Sequence, residues 1–144
     1  MPAPTRVDPY KNFNFRVEIA GITIAGFSEC TGLNAQIDVI EYREGGDNRI
    51  RKLPGLARFG DVILKRGITK SNELQQWFRN IIDGQADRRS VSVILLDDER
   101  NEGVRWNISG AWIRKIEGPN LNARGNEVAI ETIVLTCEGI DRES

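Results

Sequence analysis

From Phe13 to Ile19 the chain alternates apolar Phe13, Phe15, Val17 and Ile19 with polar Asn14, Arg16 and Glu18. A period of two places the two sets on opposite faces of an extended chain, so the stretch reads as a half-buried β-strand. Ala20-Gly21 permits a reversal, and the residues up to Leu33 read as the second strand of a first hairpin. Leu33, Ala35, Ile37 and Val39 then alternate with Asn34, Gln36 and Asp38. This predicts a third strand with its apolar residues in the core and an uncharged or acidic face turned to water or a partner. From Glu44 to Arg58 the alternation fails and Gly45-Gly46 and Pro54-Gly55 appear, so an extended loop is expected over about 43–58. Val62 and Leu64 resume a strand.

The period changes once. Leu74, Trp77, Phe78, Ile81 and Ile82 recur at helical spacing between Ser71, a candidate N-cap, and Gly84. A helix over about 72–83 follows, its apolar stripe laid on a sheet and Gln75, Gln76 and Arg79 wet. Val91 to Leu96 is an apolar run, Asp97 to Gly103 a charged turn, and Val104 to Ile116 a β-branched and aromatic return, which together read as a second hairpin. Pro119-Asn120 and Arg124-Gly125-Asn126 bracket a loop before a closing strand within Val128 to Cys137. About seven strands to one helix, with mostly short connections, predict a mainly β fold, an antiparallel β-barrel or sandwich with one flanking α-helix. At 144 residues the chain suits one domain over its whole length, and the three prolines within residues 1–9 suit a flexible or draped N-terminal arm.

Composition removes several kinds of chemistry. The chain has no histidine, which takes away the usual general base near neutral pH and the commonest zinc ligand. Gly55 to Asp61 has the glycine spacing of a phosphate loop, but Asp61 stands where the lysine belongs and repels phosphate. Twenty basic against twenty-one acidic residues leave a net charge of −1, without the global positive field of non-specific nucleic-acid binding. No apolar run reaches the roughly 20 residues of a membrane span. Cys30 and Cys137 read as buried small hydrophobes. No enzymatic activity, cofactor, metal site or membrane insertion is expected.

The segment from Asp8 to Leu33 combines with Glu41-Tyr42-Arg43-Glu44-Gly45-Gly46, Lys52-Leu53-Pro54-Gly55-Leu56 and Gly60 to Ile68. In that order these blocks resemble the tail-tube proteins of contractile phages and the inner-tube proteins of phage-tail-like contractile injection systems, over nearly the whole chain. The resemblance implies a structural subunit that forms hexameric rings. The rings stack into a hollow tube inside a contractile sheath, on a baseplate, with DNA or protein cargo passing through the lumen. It further implies assembly in the bacterial cytoplasm and residence in a virion tail or injection particle. In such an assembly the sheets of neighbouring copies join, so that open strand edges are paired by the next copy.

On this expectation two segments become candidate contacts between subunits or rings. The first holds Arg43, Arg49, Arg51, Lys52 and Arg58 with Glu44 among them, and the second holds Asp97, Asp98, Glu99 and Glu102. Charge complementarity between a basic loop and an acidic turn sets register more than affinity. Asn34, Gln36 and Asp38 are the lumen-facing candidates. Two other readings stand beside the tube subunit: a baseplate-proximal tube initiator of the same machine, and a small β-barrel nucleic-acid-binding module. The second would stack bases on Trp106 and Trp112 beside Arg105 and Arg114.

Overall fold

A computed structural model describes residues 10, 11, 14–20, 26–125 and 127–143. The proline-rich arm, Phe13 and the expected reversal at Gly21 lie outside the described residues. The elements in chain order are β1 (Phe15–Ile19), β2 (Phe27–Thr31), β3 (Ala35–Tyr42), β4 (Arg51–Phe59), β5 (Val62–Gly67), α1 (Glu73–Ile82), β6 (Arg89–Leu96), β7 (Glu102–Glu117), β8 (Ile130–Thr136) and β9 (Gly139–Glu143). Among the described residues the fold is therefore mainly β, antiparallel throughout, with one helix.

Among the described residues seven strands form one curled sheet in the order β1-β6-β7-β8-β5-β2, with β9 added on β7, while β3 and β4 pair only with each other. The long β7 makes the curl. Its first half pairs with β6 and β9, and its second half pairs with β8. Gly110, at φ +61, lies between the two halves. The concave side holds the core, where Val17, Leu64, Val91, Ile108, Ile113, Ile133 and Leu135 meet Leu74 and Trp77 of α1. Each such side chain removed from water stabilises the fold by roughly 1.5–3 kcal/mol before entropy is subtracted.

The expected first hairpin is not formed. β1 pairs with β6, from Phe15 opposite Leu95 to Ile19 opposite Val91, and β2 pairs with β5. The two strands are opposite ends of the same sheet. Alternation specifies which face of a strand is buried and does not specify its partner.

The expected loop is mostly strand. β4 covers Arg51–Phe59 and pairs back on β3, leaving only residues 43–50 as the connection. Pro54 and a bulge between the Ile37 and Val39 pairings hide its period. The apolar side of β3 is also not in the core, because Ile37 is 59% exposed and Val39 60%. Both differences have one cause: neither face of this two-stranded ribbon is buried within the subunit, so the alternation of β3 does not mark a core side and nothing imposes alternation on β4.

The ribbon is a continuation of the sheet. β2 runs into β3 through residues 32–34, and β4 runs into β5 through Gly60-Asp61, so the β3–β4 ladder prolongs the β2–β5 ladder beyond a kink. Gly32 makes that kink at φ +88, and a methyl group placed on it would lie 1.9 Å from the Asp61 carbonyl oxygen. Only glycine fits both the left-handed backbone and the close approach.

The helix begins at Asn72, whose side chain makes no capping bond, and the Ser71 amide bonds to the Thr69 hydroxyl instead. Leu74 and Trp77 are fully buried and Phe78 and Ile81 pack on the core, but Ile82 stays exposed. Gln75 is not wet as expected: its amide donates to a Glu131 carboxylate oxygen at 2.9 Å.

Candidate assembly interface

The β3–β4 ribbon gathers most of the basic candidates. Its register sets Gln36 opposite Arg58, Glu41 opposite Lys52 and Tyr42 opposite Arg51. Side chains two residues apart share a face, so Asp38 lies near Arg58, and the Arg58 guanidinium donates to its carboxylate at 2.7 Å. At the distal end Asp47 accepts from the Arg49 amide and pairs with the Arg51 guanidinium at 3.7 Å, which folds the connection over itself. The Tyr42 hydroxyl donates to Glu44 at 2.6 Å, and this bond raises the pKa of the phenol above its ordinary value. Arg43, Arg49, Arg51, Lys52 and Arg58 are all exposed.

Apolar side chains are interleaved with these charges. Ile37, Val39, Ile40, Leu53 and Leu56 are exposed, and Leu56, at the bulge, is 72% exposed. A two-stranded ribbon with apolar residues open to water is marginal alone and shows the marks of a surface covered on association. The sequence expectation had found the charges here and had missed the apolar component. Its signal is Ile37 and Val39, which read as core because an alternating strand ordinarily buries one face.

The acidic candidates occupy the turn between β6 and β7. The Asp97 carboxylate accepts from the amides of Glu99 and Asn101 at 2.9 and 2.8 Å, so this acid shapes the turn. Arg100 takes φ +64 within it. Lys11 pairs with Asp98 at 3.3 Å, and Arg105 grips Glu102 with 2.6 and 3.0 Å bonds that hold its carboxyl below the usual range. Glu99 is exposed. Within one subunit the structure does not bring this turn to the ribbon, which leaves from the β2–β5 edge of the sheet.

The lumen candidates split. Gln36 and Asp38 belong to the ribbon, with Asp38 spent on Arg58, and Asn34 belongs to the kink, where its carbonyl accepts from Gly60. Of their apolar neighbours, Leu33 packs on the core as expected, while Ala35, Ile37 and Val39 in the ribbon are exposed.

The edges of the sheet are open. Among the described residues β1 and β2 are each paired on one side only, and they flank a cleft of about 690 Å³ lined by Tyr10, Phe15, Phe27, Leu33, Val93 and Trp106. Cys30 lies in its wall, and burial pushes that thiol up to about 11, outside the range of a reactive thiolate. Trp106 and Trp112 pack against the core, and Arg105 and Arg114 are paired to acids, so these four residues do not form a base-stacking platform. Among the described residues no helix is long and apolar enough to cross a membrane.

The family model for T4-like virus tail tube protein gp19 matches residues 11–141. No curated protein matches the chain. Among solved structures, a chain of the sheath-tube complex of PVC, an extracellular contractile injection system in its extended state, is 26% identical. That match covers 94% of this chain and 92% of that one at a TM-score of 0.86. The cap that terminates the tube of the anti-feeding prophage shares the fold at 24% identity, with coverages of 99% and 96% and a TM-score of 0.90. A chain of the anti-feeding prophage baseplate shares it at 23% identity, with 96% and 97% covered and a TM-score of 0.84.

Proposed function

Because the chain belongs to the T4-like virus tail tube protein gp19 family, a structural family and not one of enzymes, we propose that it forms hexameric rings that stack into the inner tube of a contractile injection system. The exposed apolar ribbon β3–β4 carries this reading. Ile37, Val39, Ile40, Leu53 and Leu56 lose water only if another copy covers them, and a ring stacked on the next supplies that copy. The arginines and Lys52 of the ribbon then set register against acids of the facing ring, for which the Asp97–Glu102 turn is the candidate. The open edges of β1 and β2 are paired laterally by neighbours, which removes the aggregation hazard of an unpaired strand. The sheath surrounds the tube, the baseplate holds its lower end, and cargo passes through the channel.

A second reading is a piece that ends the tube, either a baseplate-proximal initiator or a terminal cap. The likeness to the anti-feeding prophage cap and baseplate chains favours keeping it. Negative-stain microscopy of the purified chain separates the two: long hollow filaments support the tube subunit, and rings that stay single support the end piece. A chain that forms neither contradicts both.

A further inference from the structure

One continuous line of chain opposes β7. Trp112 lies opposite Thr136 of β8 and Ser109 opposite Gly139 of β9, so no residue is gained or lost on either side between the two pairings. The next line of chain does not follow. β5 pairs with β8 from Gly67 back to Val62, and there the chain leaves the sheet as β4, which pairs on β3 instead. Among the described residues β9 is therefore paired on β7 alone, and its other edge is vacant where β4 passes close beside it without pairing.

The vacancy matches β4 in register, charge and hinge. Continuing the β5–β8 register, in which Val62 opposes Leu135, sets Gly60 opposite Cys137, Arg58 opposite Gly139, Leu56 opposite Asp141 and Pro54 opposite Glu143. The first step of that continuation is made, since the Cys137 thiol donates to the Gly60 carbonyl oxygen at 3.8 Å. The same register sets Ala57 opposite Ile140, which packs on the core. β9 carries Asp141 and Glu143 against Arg142, whereas β4 carries Arg51, Lys52 and Arg58 and no acid. A charged edge resists chance pairing and still accepts a strand of the opposite sign. Gly32 and Gly60 stand where the two strands of the ribbon leave the sheet, so the departure lies at the residues with the freest backbone.

Resting on the tube reading, we propose that the ribbon is a strap: in the free subunit it swings about Gly32 and Gly60 and lays β4 on the vacant edge of β9, and joining a ring releases it to reach outward. Laid down, β4 is committed to its own subunit, so its backbone and its bases are withheld from the next ring. The edge of β9 is then closed to stray strands as well. β3 stays the outermost strand, and its Ile37, Val39 and Ile40 still lose water only to another copy.

The test uses Pro54→Cys with Glu143→Cys, in a background of Cys30→Ala and Cys137→Ala, oxidised with diamide. With the strap down these positions oppose each other across one ladder, at a separation that a disulfide can bridge. Val39→Cys with Glu143→Cys is the control, because a lowered β4 lies between that pair and holds it about 10 Å apart. In dilute subunits the first pair is expected to close within one chain roughly tenfold faster than the control, and in preformed tubes to stay open. Oxidised subunits are expected to form no tubes until a reductant is added. Closure no faster than the control, a disulfide that joins two chains, closure in tubes as fast as in subunits, or tubes formed equally by oxidised and reduced subunits overturns the strap. If the double variant does not fold, hydrogen exchange of the dilute parent reads the same contact. The outer-edge amides of β9 are then expected to exchange severalfold more slowly than those of β1, and equal exchange overturns the strap. A parent chain that forms no tubes counts against the tube reading itself, whereas closure in dilute subunits decides the strap without it.

Discussion

Gly32 and the Arg66–Glu131 pair are the residues on which most depends. Gly32 adopts φ +88 beside the Asp61 carbonyl, whereas Gly26 adopts φ +90 with nothing within 4 Å of the site a methyl would occupy. Gly26→Ala therefore tests the backbone term alone, about 1–2 kcal/mol. Gly32→Ala adds a clash with main chain and is expected to cost clearly more in urea unfolding, because the ribbon must shift to relieve it. Equal losses would remove the close approach from the account. Arg66 and Glu131 are 3% and 4% exposed, and Arg66 donates to Glu131 at 2.5 Å while Gln75 takes the other carboxylate oxygen. Removing one partner strands a buried charge, so Glu131→Leu alone is expected to cost about 3–5 kcal/mol. The double variant Arg66→Met, Glu131→Leu is expected to recover most of it, and additive losses in denaturant melts would contradict this. None of this was legible beforehand, because Glu131 sits at an inward position of an otherwise apolar strand and its partner lies 65 residues away.

At the scale of elements, the ribbon and the helix end give separate tests. Arg51→Glu with Lys52→Glu is expected to leave the circular dichroism of the subunit unchanged, since both side chains are exposed, and to shorten or abolish tubes. Tubes of normal length would release the ribbon from ring contact. At the end of α1, Asp87 accepts from Arg89 and Asn80, and its backbone carbonyl accepts from the Trp77 indole. The Arg89 hydrogen bond holds its carboxyl below the ordinary value of 3.8. A lowered folded-state value contributes stability above the unfolded value, and that contribution is lost as pH falls through the folded one. The melting-temperature gap between parent and Asp87→Asn is therefore expected to be full near pH 7 and to close well below about pH 4. A gap that does not change with pH would show that the carboxylate charge plays no part. The β6–β7 hairpin was readable because Asp97 to Gly103 separates two apolar runs that both bury a face. β9 was missed because Gly139–Glu143 offers Ile140 as its single large apolar residue. Of the ribbon, β3 was readable from its alternation, while β4 was not, because neither of its faces is buried within the subunit and Pro54 and a bulge interrupt its period.

At the scale of the molecule, the subunit keeps a filled core on the inside of its curl and leaves unfinished what lies outside it. Among the described residues two end strands are paired on one side only, and a ribbon exposes five large aliphatic side chains. Tail-tube identity was legible from the order of short blocks, while the pairing of β1 with β6 was not, because it depends on how the whole sheet curls. On the proposed reading cyclic association closes the edges and stacking covers the ribbon, so the central claim is that the chain completes its β structure only with copies of itself. Sedimentation velocity across a concentration series measures this directly. The account predicts ring-sized species that grow into longer stacks as concentration rises. A stable monomer at the highest concentration, with the amides of the β1 and β2 edges already protected from hydrogen exchange, would contradict it.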